Sequence, residues 1–130
     1  MKEKSKVDLI EYRINKSKET LSEVSSLIKL GFYNNAVNRL YYACFYAVNA
    51  LMLKKNIKAK THDGIRQMFG LHYVKTGIIS KEMGRLFTIL YEKRHSGDYE
   101  DFISYNKETV EELLNPSKEF ILTVEKILND

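Results

Sequence analysis

The sequence LYYACFYAVNALML, residues 40–53, is the longest apolar stretch of the chain and is interrupted only by Asn49. It is too short to cross a bilayer, which takes about 20 apolar residues. Its apolar positions belong to two adjacent rows with helical spacing. The rows are Ala36, Leu40, Ala43, Ala47 and Leu51, and Val37, Tyr41, Cys44, Val48 and Met52. So broad an apolar face predicts a central, buried helix from about Tyr33 to Lys55.

The rest of the chain also repeats with the period of a helix, and no segment alternates with the period of two that is typical of strands. We expect four further helices, over about 8–30, 61–77, 80–94 and 106–128. Capping side chains and terminal glycines set these bounds; they are Gly31, Thr61, Gly77, Ser80 and Asn106. The predicted fold class is therefore an all-α, five-helix up-and-down bundle.

Two residues bear on the last two helices. Gly97 is expected to weaken or end the fourth helix, because glycine is a poor helix former. Pro116 is expected to kink or divide the fifth, although Asn115 followed by Pro116 is equally compatible with a new helix start.

Length and composition predict one globular domain over residues 1–130, with residues 1–7 as a frayed N-terminus. Of the 130 residues, 44% are hydrophobic and 29% are charged. Cys44, the only cysteine, cannot form an internal disulfide, and we expect it to be a small core residue. No long apolar segment follows the charged residues 1–6, so we expect no signal peptide. These features favour a cytoplasmic protein without a membrane segment.

Charge and motifs exclude several classes of enzyme. The 21 Lys and Arg against 17 Asp and Glu give a net charge of +4, which permits a phosphate-rich partner. The sequence has no glycine-rich phosphate loop, no Cys-x-x-Cys, no His-Glu-x-x-His and no Gly-x-Ser-x-Gly. His62, His72 and His95 do not pair at the spacing of metal ligands on a helix. We therefore expect no metal site and no cofactor.

The segment EKRHSGDYED, residues 92–101, is unusually dense in polar groups that can take part in chemistry. Arg94 can hold a phosphate with two hydrogen bonds, and His95 can move a proton near neutral pH. Together these groups suit cleavage of RNA without a metal ion. The alternative is structural, because Arg94 and Asp98 are four residues apart and form an ordinary ion pair on a helix.

A second candidate is Arg39, a charge that enters the apolar helix. One interpretation holds its guanidinium against a carboxylate such as Asp98 or Asp101, because a buried charge needs a partner. The other makes Arg39 part of a phosphate pocket beside Arg94. Lys60, in the lysine-rich connection that follows the helix, is a further candidate ligand for the same phosphate.

Four ordered blocks of sequence resemble the small prokaryotic HEPN-domain proteins. They are RLYYACFYA at 39–47, THDGIRQMFG at 61–70, VKTG at 74–77 and RHSGDY at 94–99. The resemblance extends from about residue 8 to the end. It implies a helical bundle that pairs as a homodimer. It also implies a toxin or defence ribonuclease, often encoded beside a minimal nucleotidyltransferase that acts as its antitoxin.

The catalytic signature of that family is Arg, four to six residues, then His, with a polar residue often directly after the Arg. Arg94 matches the first position and His95 the polar one, whereas Tyr99 stands where the final histidine is expected. A phenol, with an ordinary pKa of about 10, is a poor proton carrier at pH 7. By the positions that they occupy in the signature, the resemblance nevertheless assigns Arg94, His95 and Tyr99 as the catalytic group.

Three functions stay open at this point. The first is a toxin-type ribonuclease that acts without a metal ion. The second is a non-catalytic module in which Arg39, Arg94 and Lys60 bind a nucleotide or RNA phosphate and the bundle serves a nucleotidyltransferase. In the third, the segment from Arg94 to Asp98 builds the homodimer interface.

Overall fold

The computed structural model describes residues 3–99 and 103–130, and of Asp98 and Tyr99 it describes the backbone alone. These residues form helices and turns and no strand, as predicted. The helices are α1 (Glu3–Ser22), α2 (Val24–Lys29), α3 (Tyr33–Lys54), α4 (His62–Phe69), α5 (Lys81–Tyr99) and α6 (Lys107–Leu128). A π-helical turn, Gly70–Val74, continues α4. Together, α1 and α2 occupy the range of the predicted first helix.

The predicted central helix is confirmed as α3. It packs against α1, α2, α4, α5 and α6. Its two apolar rows are buried, and the aromatic rings around them complete the core. The largest buried aromatic residues are Tyr41, Phe69, Tyr73, Phe87 and Phe120. Burying each such side chain contributes about 1.5–3 kcal/mol. Four of the five rings belong to other elements and pack around the apolar rows of α3.

The predicted helix ends are confirmed by hydrogen bonds. The hydroxyl of Thr61 accepts from the backbone N–H of Gly64 at 2.9 Å, that of Ser80 from Met83 at 3.2 Å, and the Asn106 side chain from Thr109 at 2.8 Å. Gly31 has a φ of +77°, and the N–H of the following residue, Phe32, reaches back to the carbonyl of Leu27. This left-handed position is open to glycine at no steric cost, and it reverses the chain into α3.

The helices depart from the predicted bounds in four places. The first helix begins at Glu3, within the predicted frayed segment 1–7. It is then interrupted at Glu23, whose backbone stays in the helical region (φ −73°, ψ −22°), so the chain keeps its direction. The predicted fourth helix ends at Arg94, whereas α5 runs through Gly97 as far as Tyr99. Pro116 does not divide α6, since proline removes only one N–H from a helix held by its apolar face.

Gly97 does not end α5 but allows the ring of Tyr105 to pack closely against the helix. A Cβ at this position would lie 3.1 Å from a ring carbon of Tyr105. Asn34 of α3 holds the same segment, because its side chain donates to the carbonyl of Ile103 at 3.0 Å and accepts from the N–H of Tyr105 at 2.7 Å. Residues 103–105 are therefore held against α3 and the C-terminal part of α5. Among the described helices, none has the length and apolar content that a membrane crossing requires.

Candidate functional site

Arg94 lies on the inner face of α5. Phe87 and Leu90 precede it by seven and four residues on the same face, and both are fully buried. Arg94 follows them inward and is only 9% exposed. Its guanidinium carbon lies 5.2 Å from the ring centre of Tyr41 and 5.8 Å from that of Tyr42. A guanidinium over aromatic faces keeps a favourable electrostatic contact where water is largely excluded.

Tyr42 brings a second guanidinium into the same cluster. The Arg39 carbon lies 5.4 Å from the Tyr42 ring centre, so Arg39 and Arg94 both contact this ring. Arg39 is not fully buried, since its side chain is 31% exposed, and its carboxylate partner is Glu23 at 3.6 Å. Asp101, one of the predicted partners, lies outside the described residues. Arg39 therefore has a carboxylate partner, Glu23 in place of the two predicted ones, and it also shares the Tyr42 ring with Arg94.

His62 completes the cluster from α4. The cap at Thr61 starts this helix and directs His62 towards α3, where its Nδ1 and the hydroxyl of Tyr41 share a hydrogen bond of 2.8 Å. Its ring stacks on Phe45 with 4.3 Å between centres. Which of the two atoms donates depends on the tautomer of the ring. In either case Nδ1 faces Tyr41 and Nε2 is the ring nitrogen left for another partner.

Burial favours the neutral forms of the two groups that share the hydrogen bond, His62 and Tyr41. Burial, and next the positive charge of Arg94, lower the pKa of His62 below its usual value. Burial raises the pKa of Tyr41 well above that of a free phenol, and the charges of Arg94 and Arg66 oppose this rise. At neutral pH the cluster therefore combines a neutral imidazole, a protonated phenol and a guanidinium cation.

Arg66 lies at the edge of the cluster, on α4. Its Nη2 is 2.6 Å from Asp63, and its guanidinium carbon is 5.2 Å from the ring centre of Tyr91. Tyr91 in turn contacts Tyr41 edge-on, with 6.1 Å between ring centres. The hydrogen bonds from Arg66 are the main reason why the pKa of Asp63 is lowered, so the pair stays ionised.

Comparison with known proteins identifies the family. The model of the HEPN domain matches residues 10–127. The chain belongs to the HEPN domain family. It is 35% identical to a UPF0332 protein of Thermotoga maritima, over 100% of this chain and 97% of that protein. It is 34% identical to "Putative toxin MJ0142" of Methanocaldococcus jannaschii, over 92% of this chain and 81% of that one.

A solved structure shows the same fold. The crystal structure of TT1696 from Thermus thermophilus matches with a TM-score of 0.76 and covers 90% of this chain and 96% of that one. Sequence identity in this match is 17%, so the likeness concerns the arrangement of helices alone. The helices of this HEPN domain are thus arranged as in a protein whose crystal structure is known.

The predicted site residues of this HEPN domain fall into three groups. Arg94 and Arg39 come together at Tyr42. His95 is exposed, on the side of α5 that Arg94 does not face, and Lys60 is exposed in the connection two residues before His62. Asp98 and Tyr99 continue the helical backbone of α5, and their side chains lie outside the described residues.

The sequence analysis did not assign His62, Tyr41 or Arg66 to the site. The first two belong to different helices and meet only through packing. One signal was available: His62 directly follows the cap residue Thr61, and both stand in the second of the four blocks. A capped helix start fixes the direction of its first side chains, which is how His62 comes to face α3.

Proposed function

We propose that this HEPN domain is a toxin-type ribonuclease that binds an RNA phosphate at Arg94 and cleaves the strand without requiring a metal ion. The observation that carries the proposal is the grouping of Arg94, the Tyr41 hydroxyl and His62 on one aromatic cluster. The relative named "Putative toxin MJ0142" supports the biological setting.

Arg94 is the anchor for the phosphate in this proposal. A guanidinium presents a planar fork of N–H donors that matches two phosphate oxygens. The aromatic rings beneath it lower the local dielectric, so its charge acts more strongly on a developing dianion than it would in water. The small exposed part of Arg94 is where the phosphate makes contact.

His62 is the proton acceptor in this proposal. With Nδ1–H donating to the oxygen of Tyr41, the lone pair of Nε2 takes the proton from a ribose 2′-hydroxyl while that oxygen attacks phosphorus. The bond from phosphorus to the 5′-oxygen breaks, and the leaving oxygen takes a proton from water, which recovers a proton from Nε2–H of His62 and so restores the neutral imidazole. The products are a 2′,3′-cyclic phosphate and a 5′-hydroxyl. The lowered pKa of His62 keeps the imidazole unprotonated and ready at pH 7.

A second candidate function is nucleotide binding without turnover, in partnership with a nucleotidyltransferase. One observation favours it: a cleft of about 630 Å³ lies between α2 and α3 and is lined by Arg39, Asn35, Asn38 and Glu23 among others. Small-molecule sites typically have volumes of about 300–1,000 Å³. This function predicts saturable binding of ATP that Arg39→Ala weakens, with no RNA cleaved.

The homodimer and the nucleotidyltransferase antitoxin are further parts of the proposal. A two-fold pair would bring two Arg94 clusters into one assembly. Lys60 and Asp98 stay proposed substrate contacts, and His95 and Tyr99 stay proposed participants in catalysis at the C-terminal end of α5.

The experiment compares cleavage of a single-stranded RNA by the wild type, Arg94→Ala and Arg94→Lys. We expect Arg94→Ala to lose at least about 100-fold in kcat/KM, because a phosphate-stabilising donor in a preorganised site is worth about 2.7–4 kcal/mol. Arg94→Lys keeps the charge but not the fork, so it should recover only part of the rate.

Arg13→Ala is the matched control, because it removes an arginine of α1 and leaves the aromatic cluster intact. Full cleavage by a folded Arg94→Ala protein refutes the proposal. Equal losses in Arg94→Ala and Arg13→Ala also refute it, because they would trace the effect to net charge or to folding.

A further inference from the structure

A groove runs between α4, with its π-helical turn, and the N-terminal half of α5. It has a volume of about 410 Å³, and three cationic residues line it: Arg66 from α4, and Lys81 and Arg85 from α5. Within the described part of the chain, no carboxylate is among its lining residues. We call it the basic groove.

The close packing of two backbones forms the floor of the basic groove. A Cβ at Gly84 would lie 2.9 Å from a methyl carbon of Val74, so glycine lets α5 approach the π-helical turn directly. Gly70, at the start of the turn, also lines the groove. With few side chains on the floor, the charged ends of the residues on both walls remain available to a ligand lying in the groove.

The charges on the two walls differ in their local partners. Asp63 pairs with Arg66 and offsets part of its charge. Lys81 and Arg85 are exposed and one helical turn apart on α5. Their positive charges lie at the N-terminal end of that helix, where the peptide dipoles add to the positive potential. Glu82 belongs to the same turn but does not line the groove, so the lining of the α5 wall carries two cations and no carboxylate among the described residues.

The basic groove leads towards Arg94. Along α5, however, Arg85 and Arg94 are half a turn apart and lie on opposite sides of the helix. The groove is connected to the Arg94 cluster through Arg66, which lines the groove and whose guanidinium carbon lies 5.2 Å from the ring centre of Tyr91. The electrostatic interactions of Tyr41 also connect the two ends, because Arg66 and Arg94 both act on its phenol. Nine residues separate Arg85 from Arg94, a helical rise of about 13 Å. At about 3.4 Å per stacked nucleotide, that rise alone takes about four nucleotides, and the path across the helix adds to it.

We propose that the basic groove binds the backbone of a single RNA strand whose scissile phosphate lies at Arg94. This inference rests on the proposed ribonuclease function and adds a second set of phosphate contacts to it. Three cations lining one groove, with Arg94 beyond its end, suit a chain of phosphates better than a single one. The groove therefore selects a strand of several nucleotides over a mononucleotide or dinucleotide.

The test compares two double variants of the full chain with the same loss of charge. Lys81→Gln/Arg85→Gln removes the α5 wall of the basic groove. Lys118→Gln/Lys126→Gln removes two exposed charges from α6 and is the matched control. Binding is measured by fluorescence anisotropy with a 2′-O-methyl RNA of 12 nucleotides, which cannot be cleaved through its 2′ position. Cleavage is measured with an RNA of the same length and with a dinucleotide.

We expect the groove variant to raise the Kd for the 12-nucleotide RNA about tenfold and to lower the slope of log K against log salt by about 1.4, since each single-strand phosphate contact contributes about 0.7. The control variant should stay within about twofold of the wild type on the same reasoning. Cleavage of the dinucleotide should be unchanged in the groove variant, because a dinucleotide bound at Arg94 does not reach Arg85.

Equal losses in the two variants, or an unchanged Kd in the groove variant, overturn the inference. Slower cleavage of the dinucleotide by the groove variant overturns it as well, because Lys81 and Arg85 would then act on the fold or on the Arg94 cluster. A wild-type protein that binds the long RNA through the groove but cleaves neither substrate supports the groove and refutes the proposed ribonuclease. The two failures are therefore distinguishable.

Discussion

Tyr41→Phe separates the role of one hydroxyl in catalysis from its role in stability. The substitution removes only the oxygen that lies 2.8 Å from Nδ1 of His62. The ring itself is fully buried and stacks on Phe87 with 5.7 Å between centres, so its packing remains. Tyr73→Phe is the matched control, because the Tyr73 hydroxyl donates to the carbonyl of Leu51 at 2.7 Å in the core, away from the Arg94 cluster.

The cost in stability should be smaller for Tyr41→Phe than for its control. An internal hydrogen bond contributes about 0.5–1.5 kcal/mol net, and more when its loss leaves a buried group without a partner. His62 is only half-buried, so water can replace the hydroxyl of Tyr41, and we expect a loss of about 0.5 kcal/mol. The Tyr73 bond is buried, and we expect about 1.5 kcal/mol there. In urea, with an m-value of about 1.5 kcal/mol/M, the midpoints fall by about 0.3 M and about 1 M.

The effect on cleavage should run in the opposite order. Without the hydroxyl, the imidazole of His62 loses the bond that orients it, and we expect kcat to fall about tenfold, equivalent to about 1.4 kcal/mol. Tyr73→Phe should cleave RNA at the wild-type rate below its unfolding transition. Cleavage that is lost equally in both variants, or that is unaffected by Tyr41→Phe, refutes the role given to this hydrogen bond.

Three further predictions concern other groups. Burial and Arg94 lower the pKa of His62 below 6.5 in the folded chain, so the unfolded chain binds more protons. Stability should therefore fall as the pH drops from about 7.5 to 5.5, and His62→Gln should reduce that fall in urea titrations; an equal fall in His62→Gln would contradict this. Burial raises the pKa of Cys44 to about 12, so a thiol reagent at pH 8 should label it only after urea unfolds the protein. Asn34→Ala removes both hydrogen bonds to residues 103–105 and should cost about 1–3 kcal/mol, with faster amide exchange at Tyr105; unchanged exchange there would contradict this contact.

Most of the fold follows from local sequence signals. The two apolar rows of α3 identify the core, and the caps at Thr61, Ser80 and Asn106 are set by side chains within three residues of the groups they bind. The interruption at Glu23 has no such signal, because neither glycine nor proline stands there. The next residue, Val24, is fully buried, so packing against α3 accounts better for the break than local propensity does.

The candidate site was only partly predictable, because its members meet through tertiary contacts. Arg94 stands in a dense polar segment, and its burial follows from the spacing of Phe87 and Leu90. The partnership of His62 with Tyr41 joins residues 21 positions apart on different helices, and no spacing rule within a helix reaches that far. The exposed position of His95 also depends on how α5 is rotated against α3, which the polar segment alone does not determine.

The most direct test of the central claim is the chemistry of the product ends. Purified protein is incubated with a single-stranded RNA in excess EDTA, and the fragments are weighed by mass spectrometry. The proposed function predicts fragments that end in 2′,3′-cyclic phosphate from the wild type and none from Arg94→Ala prepared from the same host. Fragments with any other end, or the same fragments from both proteins, would contradict it.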